Sequence, residues 1–314
     1  MQLLIRLMYQ VYCRTHYEEA RFRLFWDKAL YKDMTGFAMW NLFGSVAWIL
    51  RDQGLNIVLN LFFGPVINAA RGVAMQVSQA VQGFITNFQT ALNPQITKNY
   101  AIGDIHDMEK LAYMGIKFSY ILLLFISMPL MLNIDFVLGL WLKQVPDYSA
   151  YFVILIIIDA LAGNLFGVPL MTSLAATGKI RNYQIVVSTI IMLIVPAGYL
   201  ALRLGCDAPS VFYISIVFTL ISGYVRFLFC QKQIGFSQRK LFVNVLMPIA
   251  LMTIVALPAP LLLKTYCFPH TTWQVFFAIC AVSVMSTAIS AMYIGLRKDE
   301  RTKLVVMIKS KLHR

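Results

Sequence analysis

The chain has 314 residues, 59% of them hydrophobic and only 13% charged, with a mean hydropathy of +0.70. Soluble domains are about 45–50% apolar and about 25% charged, and a water-facing shell needs more polar side chains than this chain holds. A soluble enzyme, a secreted disulfide scaffold and a disordered chain are thereby excluded, leaving a polytopic membrane protein. The 27 Lys and Arg against 14 Asp and Glu give a net charge of +13. In a membrane protein that excess belongs to cytoplasmic loops rather than to nucleic acid.

Residues 1–12 are apolar but too short to span. They read as the tail of a preceding helix, without the n-region or cleavage site of a signal peptide. Residues 13–35 follow as a loop. A spanning helix needs about 20 mostly apolar residues, and eight segments qualify: 36–62, 66–94, 111–134, 149–174, 182–204, 209–231, 241–263 and 272–296. Breakers lie between them: Gly64-Pro65, Pro146, Gly178, Gly205 with Pro209, Gly235 and Pro269. The first segment carries Arg51-Asp52-Gln53-Gly54 near its middle, so a bend at Gly54 is expected. Two re-entrant half-helices there would spoil the charge alternation described next. The expected organisation is a helix remnant and loop over 1–35, six helices over 36–231, two more over 232–296 and a basic tail over 297–314. The segments 182–204, 241–263 and 272–296 have few polar residues and suit peripheral, lipid-facing positions.

Orientation follows from the basic residues. With 13–35 taken as the first loop, the loops on its side and the tail hold nineteen Lys and Arg, including Arg14, Lys32, Lys110, Arg181, Lys240 and Arg297. The opposite side holds three: Lys143, Arg203 and Lys264. By the positive-inside rule both ends are cytoplasmic and the number of spans is even.

Only two acids fall inside apolar segments, Asp52 and Asp159. A carboxylate at membrane depth faces a cavity or a partner and marks an ion or substrate path, or else is neutralised by a nearby Arg for packing. At 100° per residue, Asn41, Ser45, Trp48, Asp52, Asn56 and Asn60 share an arc of about 120° on the first helix, with Arg51 at its edge. A second stripe holds Arg71, Gln79, Gln82, Thr86, Gln89 and Asn93. Polar stripes in lipid must face protein or water. They serve either interhelical hydrogen bonds or a water-filled cleft. Amides and hydroxyls suit the hydroxyls of a sugar, because they donate and accept. Arg51 and Arg71 suit a phosphate or pyrophosphate, although snorkelling also accounts for Arg71. Asp159 and Asn164 add polarity to the fourth helix, where Pro169 is placed to bend it and free backbone carbonyls. Lys117 and Arg226, near cytoplasmic ends, read as snorkellers.

The run WNLFGSVAWILRDQGLNIVLNLFFGPVINAARGVAMQVSQAVQGFITNFQTALNPQITKNYA, residues 40–101, resembles the Wzx-type polysaccharide flippases of bacterial envelope synthesis, members of the MOP superfamily with the MATE exporters and lipid II flippases. The FFGPxxNAARG and FxTALNPQITK stretches carry the resemblance, which is specific over 30–115. It implies two six-helix lobes around a central cavity, often followed by two further helices. Eight spans match the second lobe plus those two, so a first lobe is expected elsewhere, separately encoded or upstream. It further implies export of an undecaprenyl pyrophosphate-linked oligosaccharide across the bacterial inner membrane, by alternating access coupled to H+ or Na+.

A MATE-like antiporter of drugs or cations is the nearest alternative. Its site wants acids and aromatics, whereas a sugar-phosphate site wants cations and amides. A membrane-embedded glycosyl transferase or polymer ligase needs a catalytic acid or His on a sizeable external loop. The external loops here are short, and their acids Asp135, Asp147 and Asp207 do not cluster. The five cysteines (13, 206, 230, 267 and 280) form no CxxC, and no HExxH, P-loop or GxSxG occurs, so no metal or cofactor is expected. Cys206 and Cys267 fall on the external side, where disulfides can form, and are expected to stay unpaired.

Overall fold

The computed structural model describes residues 2–17, 26–267, 272–297 and 300–302. Most of the basic tail, Arg21 and Arg23 of the first loop, and the side chain of Cys267 lie outside the described residues. Among those described, every regular element is helical. Seven helices are long and apolar enough to cross a membrane: Lys28–Ala101, Ile105–Leu132, Ser149–Ala176, Arg181–Arg203, Ser210–Ile234, Gln238–Tyr266 and Trp273–Gly295. The chain is an all-α, multi-pass membrane protein.

The chain divides into two compact units, 1–39 and 40–314. The first holds α1 (Gln2–His16) and the start of α2 (Lys28–Ala101).

The segments expected at 36–62 and 66–94 are joined in α2, which is 74 residues long and non-helical only at Gly64 (φ 76°, ψ −172°). That conformation is open to glycine and strained for any side chain. A straight helix would put residues 52 and 71 about 28 Å apart at 1.5 Å per residue. Instead Arg71 Nη2 lies 2.9 Å from Asp52 Oδ1, so the arms on either side of Gly64 double back on each other. The bend therefore sits at Gly64 and not at Gly54. Gly54 is a point of close approach: a Cβ there would lie 2.7 Å from Val195 Cγ2.

The remaining spans start and end within about six residues of the expected limits; one internal break lies where Pro169 was expected to bend the fourth span, and another, in the fifth, had no sequence signal. Helix α3 (Ile105–Leu132) begins at an Asp104 cap on the Asp107 N–H and is followed by the short α4 (Ile134–Trp141), which occupies part of an expected loop. The fourth span splits into α5 (Ser149–Asn164) and α6 (Val168–Ala176). The fifth splits at Leu193 into α7 (Arg181–Met192) and α8 (Ile194–Arg203). Helix α9 (Ser210–Ile234) packs against α5, α6, α7 and α8 and ends at Gly235.

The last two spans each contain π-helical turns. One runs α10 (Gln238–Leu241), a π-turn at Phe242–Leu246, α11 (Met247–Ala256), α12 (Pro258–Leu262) and a second π-turn at Leu263–Cys267. The other is α13 (Trp273–Ser290) with a π-turn at Ala291–Gly295. Met108, Ile116, Leu123, Phe152, Leu170 and Phe227 centre the buried apolar core. Large apolar side chains such as Leu61, Phe84, Leu204 and Ile254 stay on the outside, as a lipid-facing surface requires.

Candidate functional site

A cavity of about 490 Å3 lies between the arms of α2, the broken α5–α6 span and α9. Its walls carry two ion pairs. On the first arm, Arg51 Nη2 lies 2.5 Å from Asp159 Oδ2 of α5, and also donates to Ser215 Oγ of α9. Ser215 Oγ in turn donates to the same carboxylate oxygen at 3.2 Å. The Trp48 ring stacks one turn away, with its centroid 4.9 Å from the Arg51 guanidinium carbon. On the second arm, Arg71 donates to Asp52 at 2.9 Å and to Asn56 Oδ1. Both guanidiniums are buried and each meets one carboxylate, which answers the high cost of a lone charge at this depth. Arg71 therefore does not snorkel.

A third guanidinium enters from α9. The chain leaves α-helical geometry at Leu165–Gly167, and Leu170 N bonds Gly167 O in place of Phe166 O, so the Phe166 carbonyl loses its helical donor; Pro169, which has no N–H, withdraws the donor of Leu165 O beside it. Arg226 Nη1 donates to Phe166 O at 2.7 Å, and its Nε to Tyr183 Oη at 3.3 Å. Gly223 makes the approach possible, since a Cβ there would lie 2.8 Å from Phe166. Arg226 is 5% exposed, lines the cavity and is in ion-pair contact with no carboxylate among the described residues. The expectation that it snorkels is wrong. Lys117 is likewise no snorkeller: it is 1% exposed and paired with Glu300 at 2.6 Å.

Of the candidates read from the sequence, Arg51, Asp52, Arg71, Gln82, Thr86, Gln89, Asp159 and Asn164 line this cavity. Gln89 Nε2 donates to Ser119 Oγ and to Asn164 Oδ1, both at 3.1 Å, which ties α2 to α3 and α5. The other candidates lie elsewhere. Asn56 holds Arg71 from behind. Asn93 accepts from Thr172 at 2.8 Å. Gln79 opens onto a separate surface groove with Phe84 and Asn87. Ser45 returns its hydroxyl to Asn41 O in its own helix, and Asn60 is exposed. Of these two arms, the stripes near the doubling-back point and the outer ends thus fall away from the cavity, because arms that meet only along part of their length enclose only part of each stripe.

Ser215, Thr219 and Ser222, which were not singled out from sequence, also line the cavity, with Arg226, which was read only as a snorkeller. Their spacing of three and four residues on one face of α9 is the signal that would have found them. Cys206 is free and exposed, and Cys230 is free and buried. Among the described residues no cluster of His, Cys, Asp and Glu could hold a metal ion. Compared with known protein families, curated proteins and solved structures, the chain matches none of them.

Proposed function

We propose that this chain is a transporter lobe that carries a lipid-linked oligosaccharide across a bacterial inner membrane, in the manner of the Wzx-type flippases that residues 40–101 resemble. In this reading the two arms of α2 cross the membrane separately, which makes eight spans with both ends cytoplasmic. A further lobe faces the cavity, and H+ or Na+ drives the cycle.

The observation that carries the proposal is the composition of the cavity wall. Three guanidiniums (Arg51, Arg71 and Arg226) face two carboxylates (Asp52 and Asp159), beside the amides of Gln82, Gln89 and Asn164 and the hydroxyls of Ser78, Thr86, Thr219 and Ser222. The net positive charge suits a pyrophosphate, and the amides and hydroxyls suit a sugar. A MATE-like cation site needs a carboxylate free to meet the cation. Here both carboxylates are already engaged by arginine.

The test is binding by the purified protein in detergent, read by intrinsic Trp fluorescence against three probes: an undecaprenyl pyrophosphate-linked sugar, undecaprenol and ethidium. The pyrophosphate-linked sugar should bind, and R226Q should weaken it at least tenfold. Binding of ethidium that D159N abolishes, with none of the pyrophosphate lipid, would establish the antiporter reading instead.

A further inference from the structure

A second pocket lies apart from the cavity, where the start of α3, the start of the Gln238–Tyr266 span and the end of the Trp273–Gly295 span converge. It encloses about 420 Å3 and is lined by His106, Glu109, Lys110, Tyr113, Lys117, Lys240, Asn244, Arg297 and Glu300, with Met114. Four of these are cations and two are carboxylates. Both carboxylates are engaged by a lysine and by a backbone N–H. Glu109 accepts from Lys240 Nζ at 2.7 Å, from the Ser237 N–H at 2.5 Å and from Tyr113 Oη at 3.2 Å. Glu300 accepts from Lys117 Nζ at 2.6 Å and from the Arg297 N–H at 2.8 Å.

That leaves Lys110 and the Arg297 side chain with no carboxylate partner among the described residues. Both are exposed to the pocket's solvent side, while Lys117 forms a cationic floor. The two helices that border the pocket are each opened by a π-turn at this end, Phe242–Leu246 with Asn244 on the pocket wall, and Ala291–Gly295 just before Arg297. A π-turn widens the helix locally and is frequent at functional positions. A basic pocket between the ends of helices long and apolar enough to cross a membrane has the chemistry that takes a lipid phosphate.

We infer that this pocket binds a phosphate group, held by Lys110 and Arg297 with Asn244 donating its amide, and that Glu109 and Glu300 organise the site by fixing Lys240 and Lys117. The phosphate belongs to an anionic lipid headgroup or to free inorganic phosphate, and both present the same charged oxygens. The site is independent of the proposed transport activity.

The test uses the full chain in nanodiscs, with bound lipid counted by native mass spectrometry after exchange from phosphatidylglycerol or phosphatidylcholine. The wild-type protein should retain phosphatidylglycerol in preference to phosphatidylcholine. The double variant K110Q/R297Q should weaken that retention about 25-fold, at about fivefold per cation removed. The control K143Q/R203Q, which removes two cations elsewhere, should leave it unchanged. Displacement of the lipid by millimolar inorganic phosphate assigns the site to free phosphate, and resistance to it assigns the site to the lipid headgroup. A wild-type protein that does not distinguish the two lipids, or an equal loss in K143Q/R203Q, overturns the inference whether or not the K110Q/R297Q protein folds.

Discussion

The two ion pairs of the cavity should differ in what they contribute, because they differ in their access to water. Asp159→Asn keeps the shape of the side chain and removes its charge. It leaves Arg51, 8% exposed, beside Ser215 and the Trp48 face with no carboxylate partner among the described residues. Losing one partner of a buried pair costs about 3–5 kcal/mol. An Asn oxygen can still accept and the Trp48 face contributes about 0.5–1 kcal/mol, so about 3 kcal/mol is expected. Asp52→Asn leaves the buried Arg71 with Asn56, but the carboxylate it replaces is 42% exposed, so water reaches the vacated partner position and a smaller loss of about 1–2 kcal/mol is expected. The double variant R51Q/D159N removes both buried charges together and should regain about 2 kcal/mol of the loss. Unfolding by titrated SDS in detergent micelles, followed by Trp fluorescence, gives the three values. If D52N destabilises as much as D159N, or if R51Q/D159N is no more stable than D159N, the reasoning from burial is refuted.

Three further outcomes are expected. Gly64→Ala should destabilise by about 1–3 kcal/mol, since only glycine suits its backbone angles, whereas Gly72→Ala, with open space at its Cβ, should be neutral or slightly stabilising by the same assay. Gly54→Val should crowd Val195 and cost at least about 1–3 kcal/mol, with a visible drop in membrane abundance on immunoblots. A membrane-impermeant maleimide on intact cells should modify the exposed Cys206 and spare the buried Cys230, as located by peptide mass mapping. Protection of Cys206 until lysis would refute the orientation argued from the basic loops.

Span positions were legible because hydrophobic runs of about 20 residues leave no other solution in a bilayer. What the hydropathy profile concealed were the breaks. Gly64-Pro65 read as a loop, yet the backbone stays helical on both sides and turns at one residue. The break at Leu165–Gly167 was foreshadowed by Pro169, but its consequence, a carbonyl given to Arg226, depends on α9 lying alongside. Asp52 and Asp159 stood out as acids inside apolar segments, and both line the cavity. Their partners were less legible: Arg51 had either Asp52 or Asp159 open to it, although adjacent residues on a helix point about 100° apart, and Arg71 was not matched to Asp52 at all. Each acid instead meets the arginine that the fold brings across from another arm.

The same crossed pairing sets an order on biosynthesis. Arg71 follows Asp52 by 19 residues, and Asp159 follows Arg51 by 108. At about 5–20 residues per second, the first pair can close within about 1–4 s of the synthesis of Asp52, while the arms of α2 emerge together. Arg51 waits about 5–20 s for its carboxylate. During that interval its charge carries an insertion penalty of about 2.5–3.5 kcal/mol that nothing downstream has yet offset. The nascent chain therefore holds α2 as a hairpin with one charge resolved and one outstanding, and α5 closes the second pair on arrival.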